Sequence, residues 1–217
     1  MNTNRIFTWG IFIVVIGLII WGMIASSIKS SKLNGYLAEM DQASGTDWVI
    51  GNATSTITIV EYSDFQCPAC AMFFPILEKV VTDYGDKIRF IYRNYPLPQH
   101  NNARPAAQAA GAAGGQGKFW EMYRMIFDTH DDWENATNTP TVFRGYAEKI
   151  GLDLIKYDAD VNSDIVKNKI EADIKQGSNA GINATPTFYI NGRKIENTGT
   201  YQGFKKLIDE AINNKNK

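Results

Sequence analysis

Both cysteines of the chain fall within four residues, Cys67-Pro68-Ala69-Cys70. Such a pair can be half of a zinc site, a structural disulfide or a redox dithiol. A structural zinc site takes four ligands, and the two histidines, His100 and His130, lie thirty or more residues away and are not spaced as a pair. No metal site is therefore expected. A purely structural bridge across so short a loop adds little loop-closure stabilisation. A redox dithiol explains the position better. Pro68 suits the first position of a helix, where its missing N–H costs nothing. Cys67 would then stand at the helix start, where unpaired N–H groups and the positive end of the dipole favour a negative sulfur. That lowers the thiol pKa and makes Cys67 the attacking nucleophile. Cys70, one turn further in, is placed to resolve a mixed disulfide between Cys67 and a substrate. Whatever stabilises the thiolate stabilises the reduced form, by about 30 mV per pKa unit for a two-electron couple. The Pro-Ala interior leaves the Ala69 N–H free to face the Cys67 sulfur.

The flanking pattern says what must hold this pair. Ile57 to Tyr62 is apolar and β-branched and predicts a buried strand. Ser63 to Gln66 is a loop. Ala71 to Tyr84 carries Phe73, Phe74, Leu77, Val80 and Val81 at helical spacing, with Pro75 expected to kink the helix and Gly85 to end it. Ile88 to Tyr92 reads as a second strand, and a β–α–β order favours a parallel pair. Residues 101–175 are helical in pattern, with Trp120, Tyr123, Phe127 and Trp133 as core or subdomain-interface residues and Ile165, Ile170 and Ile174 on one helix. Thr187 to Ile190, Asn191-Gly192 and Arg193 to Ile195 predict a hairpin. Phe204 to Ile212 predicts a last amphipathic helix.

Residues Tyr62 to Cys70 resemble the active-site segment of DsbA-like thiol–disulfide oxidoreductases of the thioredoxin superfamily. The resemblance continues through Tyr95-Pro96-Leu97-Pro98, the Ala-rich run, Gln116 to Glu121, and Gly181 to Phe188, covering about residues 46–215. It implies an α/β, thioredoxin-like fold with a helical subdomain inserted at about residues 100–175. It implies a cis Thr185-Pro186 bond, with Thr185 and Pro186 beside Pro68 and Ala69 where an extended substrate peptide pairs. It makes Glu61 a partly buried acid under the dithiol, able to accept the Cys70 proton. It implies no cofactor beyond the Cys67–Cys70 disulfide. One departure bears on strength: the strongest oxidants of this family have a histidine between the cysteines. Here Ala69 cannot donate a side-chain hydrogen bond, so a milder oxidant is expected, with a Cys67 pKa below a free thiol's but not extreme.

Residues 6–25 form an uncharged, apolar run of twenty. As a helix it spans a roughly 30 Å hydrocarbon layer. The expected organisation is a single transmembrane helix or a cleaved signal peptide over 1–27, a polar linker over 28–45 with a short helix at 33–40, and a domain over 46–217. Positive charges leave the orientation open. An oxidant is useful where thiols are not kept reduced, which favours an extracytoplasmic domain on the cell membrane, or secretion after cleavage. With 22 basic and 23 acidic residues, net charge −1, there is no basic surplus for nucleic acid. The expected activity is disulfide exchange with reduced or unfolded secreted proteins, as a dithiol oxidase recharged by a quinone-linked membrane partner. The alternatives are a reductase or isomerase on the same fold, or a non-catalytic binding module.

Overall fold

The structure is a computed structural model that describes residues 15–28, 43–196 and 198–215. Residues 15–28 are helical (α1). No helix among the described residues is long and apolar enough to cross a membrane. Residues 6–14 of the expected span, and the expected short helix at 33–40, lie outside the described residues.

Five strands form one mixed sheet in the order β1-β3-β2-β4-β5. They are β1 (Trp48–Gly51), β2 (Thr58–Ser63), β3 (Arg89–Asn94), β4 (Thr187–Ile190) and β5 (Arg193–Lys194). The expected parallel pair is β2 on β3, with Glu61 opposite Tyr92. The other three pairings are antiparallel. The β4–β5 hairpin turns at Asn191 and Gly192, both at positive φ (49° and 72°), the geometry that favours Asn-Gly between strands. Asn191 also accepts a hydrogen bond from the Thr58 N–H (2.9 Å), which ties the turn to β2.

β2 is buried along its whole length. Side chains alternate across it. Ile59 joins Phe90, Tyr92 and Phe188 on the face covered by helices, and Val60 and Tyr62 join Ile91 and Tyr189 on the other. Helix α2 (Pro68–Tyr84) links β2 to β3 and runs unbroken through Pro75. Between β3 and β4 lies the helical insertion: α3 (Ala103–Gly114), α4 (Phe119–Asp128), α5 (His130–Trp133), α6 (Thr139–Lys149), α7 (Leu154–Asp160) and α8 (Asp164–Asn179). Asp153 and Ser163 cap α7 and α8 through their side chains. In α8 the structure corrects the expected apolar face. Ile165 is 84% exposed, because the buried stripe of α8 runs through Val166, Ile170, Asp173 and Gly177, and Ile165 lies off it. α9 (Tyr201–Lys215) closes the fold by packing Phe204 on Phe73 and Phe188.

β1 has no counterpart in the sequence reading, which treated residues 46–51 only as the start of the domain. Two tertiary contacts hold it. Asp47 accepts from Arg93 Nη2 (2.7 Å) and Lys169 Nζ (2.9 Å), with Asp47 and Arg93 almost fully buried. Burial alone would raise the Asp47 carboxyl, but these cations bring it down to about 2. Trp48 stacks on Phe119 with ring centroids 4.4 Å apart. It also lies over Gly114, where an added Cβ would sit 2.2 Å from the indole. Gly→Ala in a helix normally gains up to about 1 kcal/mol. Here the clash should outweigh that gain, so Gly114→Ala is expected to destabilise the domain by about 1–3 kcal/mol in denaturant unfolding.

Candidate active site

The loop between β2 and α2 is held by its own side chains. Asp64 is buried. One carboxylate oxygen accepts from the Gln66 N–H (2.8 Å). The other accepts from the Leu97 N–H (2.8 Å) and pairs with His100 Nδ1 (2.7 Å). The Asp64 N–H points at the Cys70 sulfur at 3.5 Å. Sequence reasoning assigned no role to Asp64, Gln66 or His100. The signal for Asp64 was an aspartate two residues before a loop N–H it could accept from, an Asx turn. Nothing in the sequence linked it to Leu97 and His100. Gln66 ties the loop to the helical insertion by donating to the Glu134 carbonyl (2.6 Å) and accepting from the Asn102 N–H (2.6 Å).

Cys67 is the N-cap of α2 with extended backbone (φ −71°, ψ 121°), and Pro68 occupies the first turn, as the spacing predicted. No side chain caps this end. The first-turn amides are left to the sulfur. Cys67 and Cys70 are free thiols, with 7% and 1% of their surface exposed. Pro68 is exposed and Ala69 half-buried beside them. Across from them the Thr185-Pro186 bond is cis, and both residues are buried. As a thiol, Cys67 donates to the Thr185 carbonyl at 3.5 Å. With Cys67 as a thiol the Thr185 hydroxyl is buried without a hydrogen-bond partner, so it is available to donate to the sulfur once Cys67 is a thiolate. The structure thus brings Cys67, Pro68, Ala69, Cys70, Thr185 and Pro186 together.

The Cys67 pKa is lowered to about 5. The largest cause is the Cys70 thiol donating to the Cys67 sulfur. Burial opposes it, and the Thr185 side chain and the N–H groups of Cys70 and Ala69 add to the lowering. The depression therefore arises without a charged side chain between the cysteines. Cys70 is pushed well up, chiefly by burial and then by its neighbour Cys67. The two thiols are thus separated into a ready nucleophile and a protonated partner.

Glu61 lies on β2 on the same side of the sheet as Ile59, buried to 1% exposure. Burial raises its carboxyl to about 8, and its charge is felt at Cys70, Tyr92 and Tyr123. Its Oε2, the Ser63 hydroxyl and the Tyr92 hydroxyl are buried without hydrogen-bond partners. A neutral carboxyl beneath Cys70 can give a proton to a departing Cys70 thiolate and take one back.

The Thr185 contribution is measurable. A hydrogen bond to a charged group contributes about 1.5–3 kcal/mol. Thr185→Val should therefore raise the Cys67 pKa by about one to two units in ultraviolet thiolate titration. An unchanged midpoint would remove Thr185 from the account.

Comparison with known proteins places these features. A family profile described as Thioredoxin matches residues 43–210. BdbD from Bacillus subtilis, in its oxidised form, superposes with TM-score 0.68 at 25% identity, covering 77% of this chain and 94% of that one. The thiol-disulfide exchange protein alpha-DsbA2 from Wolbachia pipientis superposes with TM-score 0.71 at 19% identity, covering 86% and 97%. Among curated sequences, Na(+)/H(+) antiporter NhaA 1 of Salinispora arenicola (strain CNS-205) is 35% identical over 167 residues, 76% of this chain. The chain spans only about a quarter of that protein's length. With its dithiol at the start of α2, its cis-proline opposite and its inserted helices, this chain belongs to the thioredoxin family and has the architecture of the DsbA-like thiol–disulfide oxidoreductases.

Proposed function

We propose that the protein is a dithiol oxidase, passing a Cys67–Cys70 disulfide to reduced extracytoplasmic proteins from a membrane-attached domain. The observation that carries this reading is the Cys67 sulfur at the start of α2, stabilised as a thiolate with a pKa of about 5. Stabilising the reduced form makes the disulfide a stronger oxidant. A substrate thiolate attacks Cys67, the S–S bond breaks, and Cys70 leaves with the electron pair. Neutral Glu61 returns a proton to Cys70. A second substrate thiolate then attacks the substrate sulfur of the mixed disulfide and expels the Cys67 thiolate. Two substrate thiols are oxidised to one disulfide and the dithiol is reduced. The resting disulfide is restored by a quinone-linked membrane oxidase, which takes the two electrons.

Membrane attachment rests on residues 6–25. In the described part, α1 exposes Val15, Ile16, Leu18, Ile19, Ile20 and Trp21, each by 47% or more, a surface suited to lipid. Labelling of Cys67 in intact cells by a membrane-impermeant maleimide tests the outward placement; labelling only after lysis defeats it.

The direction of exchange is tested by equilibrating the dithiol with glutathione across pH. With Cys67 ionised and Cys70 protonated, two electrons travel with one proton, so the potential should fall by about 30 mV per pH unit above pH 5 and about 59 mV below it. An oxidase should poise well above the −270 mV or so of thioredoxin, and a value at or below that figure assigns a reductase.

A further inference from the structure

We propose that His130, Asp131 and Glu134 form a binding site for a divalent transition-metal cation of the zinc class, beside the dithiol and separate from it. The three side chains bring one ligand atom each to within 4.8 Å of one another. His130 Nδ1 lies 3.5 Å from Asp131 Oδ1 and 3.7 Å from Glu134 Oε2. Ligands about 2.1 Å from a tetrahedral zinc stand about 3.4 Å apart, so the two histidine–carboxylate pairs are already near that spacing, and rotation of the exposed Asp131 side chain can draw in the rest of the set. An imidazole with two carboxylates suits zinc, cobalt or nickel better than calcium, which prefers oxygen throughout.

The second observation is the orientation of the histidine. Its side chain is 94% buried (6% exposed) and stacks edge-on against Trp133. Its Nε2 lies 3.1 Å from the Gln66 carbonyl, a group that can only accept. Nε2 therefore carries a hydrogen, and Nδ1 is the ring nitrogen that faces the two carboxylates. A metal ion there would take the place of a proton shared between Nδ1 and the two carboxylates. A backbone carbonyl holding the far nitrogen of a ligand histidine is also the usual outer-shell arrangement at metal sites.

The site opens on a cleft of about 540 Å³ whose walls include Pro68, Met72, Asp132 and Glu134. A three-ligand set leaves a coordination position facing that cleft. Gln66 precedes Cys67, so the carbonyl that meets His130 lies one residue before the dithiol.

The test is titration of the full-length protein in detergent, in its oxidised form so that no thiolate competes, with Zn²⁺, Co²⁺ and Ca²⁺ as probes. Saturable one-to-one binding of Zn²⁺ and Co²⁺, with visible d–d absorption for Co²⁺, is expected. His130→Ala, Asp131→Asn and Glu134→Gln should each weaken it at least about tenfold. Asp131 is fully exposed and Glu134 partly so, so their variants report even where His130→Ala fails to fold. Ca²⁺ binding as tightly as Zn²⁺ would overturn the proposal, as would no saturable binding or affinities unmoved by both carboxylate variants.

Discussion

Cys67→Ser should abolish thiol exchange, whereas Cys70→Ser should keep the attack and lose the release. Serine at 67 removes the one sulfur held as an anion at the start of α2, and an alcohol is not ionised at neutral pH. Turnover should fall to the uncatalysed rate in reduced-protein refolding or insulin reduction. Serine at 70 removes the buried partner, so substrate should accumulate as a stable mixed disulfide on Cys67, visible by non-reducing electrophoresis. Serine keeps a hydroxyl that can donate to the Cys67 sulfur, so the low pKa should largely survive in Cys70→Ser; Cys70→Ala removes the donor that is its largest cause, and there the pKa should rise from about 5 toward a free thiol's value near 8.5. A Cys67→Ser protein that exchanges disulfides as well as the parent would leave only a binding module on this fold.

Glu61→Gln should separate stability from catalysis. In the native state the carboxyl titrates at about 8 rather than 4.5. A folded-state pKa above the unfolded one means the folded protein holds the proton more tightly. The protonated acid is tolerated at low pH, and stability is lost as pH rises from about 4.5 through 8, because the unfolded chain ionises first. The shift of about 3.5 units corresponds to ~5 kcal/mol once pH exceeds 8, of which ~3 kcal/mol is already lost at pH 7. Glutamine has the shape of the neutral acid and no charge to lose. The variant should therefore match the parent in unfolding free energy near pH 4 and exceed it by ~3 kcal/mol at pH 7. It should also slow the steps in which Cys70 gains or loses a proton, most clearly its oxidation from the reduced state. Equal stability at pH 7 would place the carboxyl in contact with water, and unchanged kinetics would place another group under Cys70.

The composition of the strands and helices was largely readable from local pattern. β2, α2, β3, the β4–β5 turn and α9 lie within a few residues of where apolar spacing, Pro68, Gly85 and Asn191-Gly192 put them. These are signals carried by neighbours in the chain. β1 was not readable. It is four residues long, three of them only half-buried, and its place at the sheet edge depends on Asp47 meeting Arg93 and Lys169 and on Trp48 meeting Phe119. None of those partners is within forty residues of it. Ile165 shows the reverse error: helical spacing identified the helix but not which stripe faces the core.

The nucleophile and its partner followed from the sequence alone, because two cysteines three apart behind a strand and ahead of a helix carry their chemistry locally. Glu61, Thr185 and Pro186 could be named only through the family resemblance, and Thr185 and Pro186 reach the dithiol because β2 and β4 pair across more than a hundred residues. How far the Cys67 pKa falls was decided by the tertiary structure. The charge on that sulfur is set by donors from Cys70, Thr185 and the helix amides, and burial of Glu61 and Cys70 sets where the protons go. Order along a chain specifies which groups are available; distance, orientation and exclusion of water set their energies, and those arise only when remote segments pack.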